Sequence, residues 1–326
     1  MIWIKHNYNN SVVTEFYINV IANAYQKAGK TIRYFENWDE ISIQKKDIVV
    51  VSYHMDAFRL ALKNVRYVYW LQGIVPEEAI LSGYSRFRAS ILNIIEKYAI
   101  KKAAYLLLVS ESMRRHFENK YKLKIENYHI MPCSNEVINQ SSFSEDKKYK
   151  NCLCCYAGGL DAWQCFEETL AFYKKIEQKI QTAKLLLLVK DRETAMQAIT
   201  KYEIHNYEID YVSVEQLPDR LKDVKYGFIL RKDIEVNRVA TPTKLMTYMG
   251  NGIIPVLSDC LTGLNENLRN SEFVIRINKH FEVGPVLEME KRDINADDVL
   301  SDYQRVFDDY YNPSKHITVL SEELPG

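Results

Sequence analysis

Short apolar runs of strand length alternate along most of the chain with longer segments in which apolar residues recur every three or four positions. The short runs predict buried strands, and the longer spacing predicts amphipathic helices. Strands that alternate with helices in this way form parallel sheets covered by helices. The pattern therefore predicts an α/β protein built from doubly wound parallel sheets.

The alternation is interrupted by the polar stretch 141–151 and then begins again. The predicted strands lie near Ile2–Ile4, Thr31–Phe35, Asp47–Val51, Tyr67–Leu71, Tyr105–Val109, His129–Met131, Cys152–Ala157, Leu185–Val189, Ile209–Val212, Tyr226–Leu230, Ile253–Leu257 and Phe273–Ile277. The predicted helices lie near Val12–Ala28, Ala57–Leu62, Ser85–Lys102, Glu111–Tyr121, Cys165–Ile176, Glu193–Lys201, Glu215–Leu221 and Ala296–Tyr311. A polar stretch between two such series is typical of a linker. We expect two domains, 1–145 and 146–326.

The composition is that of a soluble globular protein, with 47% hydrophobic and 26% charged residues among 326. The net charge of zero argues against a dedicated nucleic-acid binder. No apolar run approaches the roughly 20 residues that span a bilayer, and the first residues show no signal-peptide pattern. The six cysteines follow no zinc spacing, which favours a reducing cytoplasm.

The charges are unevenly distributed. Between Arg86 and Lys124 there are ten basic residues against three acidic ones, on the predicted helices Ser85–Lys102 and Glu111–Tyr121. Such a basic region suits peripheral contact with an anionic membrane, here the inner face of the cell membrane, or with a phosphorylated lipid acceptor. The alternative is a pair of solvated helix faces.

One predicted helix has a cation where helices prefer negative charge. Thr241 and Pro242 suit the cap and the first position, and Asn251-Gly252 suits the end. Lys244 then falls in the first turn, where it opposes the helix dipole. Either an anion is bound at this end, or Lys244 is an exposed lysine with a small energetic cost.

Polar and small residues follow several predicted strands, where ligands bind to open parallel sheets. In the second half these are Gly158-Gly159, Lys190, Ser213-Val214 and Arg231. A diglycine turn with the cations Arg231 and Lys244 suits a diphosphate, and Ser213-Val214 suits a flat base. In the first half His54 and Gln72-Gly73 follow strands, and His54 is a candidate contact to a sugar.

The second half also resembles a known family. The segment with Arg231, Asn237, the run Pro242-Thr243-Lys244-Leu245-Met246-Thr247-Tyr248-Met249, Gly252 and Pro255-Val256 resembles the donor site of GT-B glycosyltransferases. The nearest variety is the family 4-like enzymes of bacterial capsule, O-antigen and exopolysaccharide assembly. The segments that begin at Gln72 and Tyr156 are similar to other parts of these enzymes.

This resemblance implies a GT-B fold, with two Rossmann-like domains facing a cleft, an acceptor in the first and a nucleotide sugar in the second. It also implies a last helix that crosses back to the first domain. The implied reaction transfers a sugar from a nucleoside-diphosphate donor, expected to be UDP-linked, to a saccharide or lipid-linked saccharide. Retention of configuration and catalysis without a bound metal are expected.

The candidate residues fall into three groups. Those expected to act in catalysis are Arg231, Lys244 and Glu77. Those expected to bind the donor are Gly158, Gly159, Lys190, Ser213, Val214, Asn237, Thr243 and Thr247. Those expected to contact the acceptor or the sugar are His54, Gln72, Gly73 and Glu78.

The chain departs from the family pattern at two positions. Val239 and Thr247 stand where many family members have glutamates, and the resemblance assigns the second glutamate to the ribose hydroxyls. Two alternatives therefore stay open: a non-catalytic partner subunit and a sugar-nucleotide epimerase of GT-B shape. For Glu77 and Glu78, the alternative is a structural role as charges in the first turn of a helix.

Overall fold

The computed structural model describes residues 1–6, 12–134, 136–143, 147–160, 162–213 and 215–326. The strands, in chain order, are β1 Ile2–Lys5, β2 Ile32–Phe35, β3 Ile48–Val51, β4 Arg66–Leu71, β5 Tyr105–Leu108, β6 Tyr128–Ile130, β7 Leu153–Ala157, β8 Lys184–Leu188, β9 Tyr207–Asp210, β10 Tyr226–Ile229, β11 Ile254–Ser258 and β12 Ile275–Ile277. The helices are α1 Val12–Lys27, α2 His54–Leu62, α3 Val75–Leu81, α4 Arg86–Lys102, α5 Glu111–Tyr121, α6 Phe166–Lys179, α7 Arg192–Lys201, α8 Leu217–Leu221, α9 Glu235–Val239, α10 Lys244–Gly250, α11 Thr262–Asn265, α12 Gly284–Glu290, α13 Ala296–Val306 and α14 Pro313–Glu323.

The described residues form two compact units. Unit 1 contains Met1–Asn135, Arg238–Thr241 and Tyr310–Gly326, and unit 2 contains Glu136–Asn237 and Pro242–Asp309. The acceptor and donor roles of the two predicted domains stay predictions.

Each unit is built on a six-stranded sheet whose neighbouring strands are all parallel. The order is β2-β1-β3-β4-β5-β6 in unit 1 and β12-β11-β10-β7-β8-β9 in unit 2. In each sheet the chain leaves the centre first in one direction and later in the other. Because such crossovers are right-handed, the helices cover both faces of the sheet. The predicted α/β class with doubly wound sheets is confirmed.

Burial explains why the central strands form. All four residues of β3 are buried, as are the last five of β4, which is the pattern of parallel strands covered on both faces. Edge strand β2, by contrast, exposes its two middle residues. Polar caps begin several helices: the Ser85 hydroxyl accepts from Arg88 N–H, and the Ser110 hydroxyl accepts from Met113 N–H.

Each predicted strand is present among the described residues, with bounds shifted by up to two positions. The predicted helix 296–311 is present as α13 followed by a π-helical turn at Phe307–Tyr311, and a further helix, α14, begins after Asn312. Asn312 caps α14 by accepting from Ser314 N–H at 3.0 Å, and Pro313 occupies its first turn. Within the described ranges, no helix is both long enough and apolar enough to cross a bilayer.

Candidate functional site

The candidate donor site lies at the centre of the unit 2 sheet. Strands β7 and β10 are neighbours there, and the chain proceeds from them toward opposite edges. Their carboxyl ends therefore form a topological switch point, the position at which open α/β sheets bind ligands. Gly158 is the first residue after β7, and Arg231 is the second residue after β10.

Gly158 leaves room for the Lys244 side chain. The residue has φ +136°, in the region that favours glycine, and a Cβ here would lie 2.5 Å from both Cε and Nζ of Lys244. The Lys244 ammonium also lies 4.5 Å from the centre of the Tyr156 ring. The Tyr156 hydroxyl donates to the Gly159 carbonyl at 2.5 Å, so the ring that supports the lysine is fixed by the same turn.

Arg231 is only 5% exposed, yet its guanidinium reaches the same place. It donates to the Gln164 backbone carbonyl at 3.0 Å, to the Gln164 side-chain oxygen at 2.6 Å and to the Leu230 carbonyl at 2.8 Å. Burial lowers the pKa of the guanidinium, as expected when a charge leaves water. Its backbone N–H is fixed by the Ser258 hydroxyl at 2.8 Å.

Two cations thus converge on one neutral oxygen. Lys244 Nζ lies 2.9 Å from Gln164 Oε1, the atom that also accepts from Arg231. An oxyanion in the place of the Gln164 oxygen would accept charge-assisted hydrogen bonds from both cations. The segment from Tyr156 that resembles the family includes Gln164, but the sequence assigned this glutamine no role.

A carboxylate lies one helical turn from Lys244. Thr247 is three residues further along α10, on the same face, and its hydroxyl lies 3.5 Å from Glu136 Oε1. Burial raises the pKa of Glu136, although the Thr247 bond opposes the shift. Where the family pattern has a glutamate on this helix, the chain has a threonine with a carboxylate from another segment beside it.

The predicted cap of the donor-site helix is wrong. Helix α10 begins at Lys244, and Thr243 before it makes no side-chain cap. The Thr241 hydroxyl instead accepts from the Cys133 N–H at 3.2 Å, in unit 1. The helix is only seven residues long, so we attribute the charge at this site to the Arg231 and Lys244 side chains.

The remaining donor-site candidates are more dispersed. Asn237 is buried, and its amide donates to the Lys232 carbonyl at 2.9 Å, which shapes the loop after β10. Lys190 and Ser213 are exposed beyond the carboxyl ends of β8 and β9. Val214 lies outside the described residues. The binding roles of these residues stay predictions.

In unit 1, Glu77 belongs to a network of charged side chains. Its Oε1 lies 2.7 Å from Lys120 Nζ and 3.4 Å from His116 Nε2. Lys120 also lies 3.4 Å from Glu96, which is 1% exposed and accepts from the Tyr121 hydroxyl at 2.6 Å. Burial raises the pKa of Glu77, but the hydrogen bonds from His116 and Lys120 outweigh it and hold the pKa below its ordinary value. A lowered pKa makes Glu77 a weak base.

Glu78 has the opposite electrostatic environment. Its carboxyl lies against Gly73, where a Cβ would collide with Oε1. The same oxygen accepts a hydrogen bond from the Ile74 N–H at 3.1 Å. Glu78 is an exposed residue, yet partial desolvation of its carboxyl raises its pKa, which favours it over Glu77 as a candidate base. Half-buried His54 and exposed Gln72 lie beyond the carboxyl ends of neighbouring strands β3 and β4. Burial lowers the pKa of His54, which favours the neutral imidazole.

No family model and no curated protein sequence matches this chain. Solved structures do match it. Sucrose-phosphate synthase from Thermosynechococcus elongatus aligns with a TM-score of 0.71 at 9% identity, over 98% of this chain and 97% of that one. Anabaena HepE, in complex with UDP and glucose, aligns with a TM-score of 0.67 at 11% identity, over 99% and 98%.

TarM from S. aureus, solved as a mutant with UDP among its ligands, aligns with a TM-score of 0.61 at 11% identity, over 93% of this chain. The chain spans only 59% of the length of that TarM chain. The matching structures are glycosyltransferases with the GT-B fold. The likeness establishes the architecture predicted from the sequence: this chain has the GT-B fold.

Proposed function

We propose that the protein is a glycosyltransferase that moves a sugar from a nucleoside-diphosphate donor to a saccharide or lipid-linked saccharide. The observation that carries the proposal is the convergence of Arg231 and Lys244 on Gln164 Oε1 at the switch point of the unit 2 sheet. This arrangement has the charge that a diphosphate requires.

The same two cations serve the chemical step. Transfer breaks the bond between the anomeric carbon and the donor's phosphate oxygen, and the acceptor oxygen forms the new bond. Negative charge grows on the departing phosphate, so cations held in place before the reaction lower the barrier. Glu78 is the candidate base for the acceptor hydroxyl, and Glu77 is held by Lys120.

The finer features of the proposal have indirect support. UDP is favoured as the nucleotide because the TarM and HepE structures contain it. Family 4-like chemistry with retention, without a bound metal, and a place in bacterial surface polysaccharide synthesis follow from the sequence resemblance alone. Peripheral contact with the inner face of the cell membrane follows from the basic region 86–124.

A thermal-shift panel tests the donor site. UDP and UDP-sugars should raise the melting temperature more than GDP, ATP or NAD, because a ligand at a hundred times its Kd adds about 2.7 kcal/mol of stability. The panel is run with and without EDTA, which should leave the shifts unchanged. Equal shifts for all nucleotides, or none, would remove the donor site.

Turnover separates the enzyme from its alternatives. Release of UDP that depends on a saccharide acceptor supports transfer. Donor binding without turnover under any acceptor would favour a non-catalytic subunit, and conversion of the donor to an epimer without acceptor would favour an epimerase.

A further inference from the structure

Exposed large apolar side chains are concentrated in one segment of unit 1. The segment 80–94 carries six large exposed hydrophobic residues: Ile80, Leu81, Tyr84, Phe87, Ile91 and Ile94. Phe87 is 76% exposed and Ile94 is 68% exposed. Phe87, Ile91 and Ile94 are spaced by four and three residues on α4, so they form one apolar stripe. Contiguous apolar surface of this kind marks an interaction site.

The exposed charges of the same helix are all positive. Arg86, Arg88, Lys97, Lys101 and Lys102 are exposed, whereas the one acidic residue of α4, Glu96, is buried in the network with Lys120. Arg86 and Arg88 lie in the first turn of α4, where positive charge opposes the helix dipole. An anionic partner at this end of the helix would interact favourably with both the arginines and the helix dipole.

The stripe leads into a basic cavity. Lys101 lies seven residues after Ile94, on the same face of α4, and lines a cavity of about 520 Å³ together with Lys97, Lys122 and Lys124. Glu126, which pairs with Lys124 at 2.8 Å, is the one acidic side chain of the lining. The cavity opens beside Ala103 and Asn127, just before β5 and β6, and so at the amino ends of these strands.

This position separates the cavity from the candidate residues of unit 1. His54 and Gln72 lie at the carboxyl edge of the sheet, and the cavity lies at the amino edge. We propose that α4 docks on an anionic phospholipid bilayer, with the apolar stripe in the interface and one headgroup phosphate in the lysine cavity. The partner is a bilayer surface, because it alone supplies both phosphates for the lysines and acyl chains for the adjacent stripe.

This proposal specifies the membrane contact of the proposed function, on which it rests, but binding to the bilayer needs no donor. The test is flotation of the full chain with vesicles of phosphatidylcholine, with or without an equal part of phosphatidylglycerol, at low and physiological salt. Binding should require phosphatidylglycerol and weaken with salt. The nucleotide panel reports on the donor site separately, so the two proposals fail separately.

Matched variants locate the contact. Lys97→Gln with Lys101→Gln should weaken binding about 25-fold, at about fivefold for each cation removed. Lys45→Gln with Lys46→Gln, which removes two exposed cations elsewhere in unit 1, should have little effect. Phe87→Ser with Ile94→Ser should abolish the binding that remains at physiological salt, and Met196→Ser, an exposed apolar change in unit 2, should not. All these side chains are exposed, and melting temperatures confirm that the variants fold.

Three outcomes would overturn the proposal. Equal binding to neutral and anionic vesicles removes the role of the phosphate. Displacement from vesicles by soluble glycerol phosphate shows that the cavity takes a free phosphate instead of a bilayer. If the native chain does not float with vesicles but forms a dimer that Phe87→Ser abolishes, the stripe is a protein contact.

Discussion

At the scale of single residues, the candidate donor site depends on what Arg231 and Lys244 can bind. The sequence identified Arg231 because it follows a predicted strand whose carboxyl end lies at the ligand-binding edge, and Lys244 because it is a cation in the first turn of a predicted helix. Gln164 could not be predicted, because its role depends on a tertiary contact with residues 67 and 80 positions away. The paired environments of Glu77 and Glu78, adjacent in sequence but opposite in pKa shift, were equally hidden.

Gln164→Glu would place a permanent carboxylate between the two cations. We expect the melting temperature of the free protein to rise, because a charged acceptor replaces a neutral one for two cations. UDP affinity should fall, since the new carboxylate competes with the diphosphate. Isothermal titration and thermal unfolding measure both effects. A variant that binds UDP as tightly as the native protein would show that the diphosphate binds elsewhere.

Lys244→Ala should slow transfer more than it weakens donor binding, because the leaving group gains charge in the transition state. Removing one such contact typically costs on the order of 2–4 kcal/mol, or roughly a hundredfold or more in single-turnover rate. Arg231→Ala should have the same effect. The increase in activation free energy in the double variant should be smaller than the sum of the increases in the two single variants. Lys179→Ala, an exposed lysine at the end of α6, is the control. An unchanged rate in Lys244→Ala would return that residue to a structural role.

At the scale of elements, the sequence predicted every strand but not every helix. Strands were visible because buried apolar runs need no tertiary information. Short helices such as α9, α11 and α12 were missed, because a segment of four to seven residues shows at most two helical turns of pattern. The apolar pattern did not predict α14, although the family resemblance implied a last helix that crosses back to the first domain.

Helix α14 should make unit 1 sensitive to acid. Its His316 Nδ1 lies 2.8 Å from His129 Nε2 of β6, and its Nε2 lies 3.0 Å from the Tyr310 carbonyl. Burial lowers the pKa of each imidazole from 6.5 to about 4. The unfolded chain therefore binds more protons between these values, so the stability that the neutral pair provides is present above pH 6.5 and lost as the pH falls toward 4.

We expect this loss to be on the order of 3 kcal/mol for each imidazole, measured by urea unfolding across that range. His316→Gln removes one of the two titrating imidazoles, so it should reduce the pH dependence by about half while lowering stability at neutral pH. His205→Gln, with an exposed histidine of unit 2, should leave the profile unchanged. The same slope in His316→Gln as in the native chain would exclude the pair as its source.

At the scale of the whole molecule, unit 1 is assembled from distant parts of the chain. Leu320 is fully buried in the unit 1 core, and Ile317 and Leu324 pack against that core. The core also contains Tyr17 and Ile21 of α1, about 300 residues earlier in the sequence. Residues 310–326 therefore belong to the fold of the first sheet, although they follow the second.

Deleting residues 310–326 should destabilise unit 1 selectively. The deletion exposes the apolar face of α1 and removes buried side chains, each worth about 2–5 kcal/mol when truncated in a core. Thermal unfolding should show an early transition that UDP does not shift, and a later one that UDP still raises. Leu320→Ala is the milder test, and it should lower the stability of unit 1 by a smaller amount. Identical transitions in deleted and full chains would show that α14 contributes nothing to unit 1.

The position of α14 also has a consequence for biosynthesis. A ribosome adds about 5–20 residues each second, so the codons between the end of the first sheet and the end of α14 take about 10–40 s to translate. Throughout that delay, α1 has emerged but its packing partner has not been made. Unit 2 can complete its core first, and the nascent first half must avoid aggregation with an uncovered apolar face. We expect chaperones that hold nascent chains to bind α1.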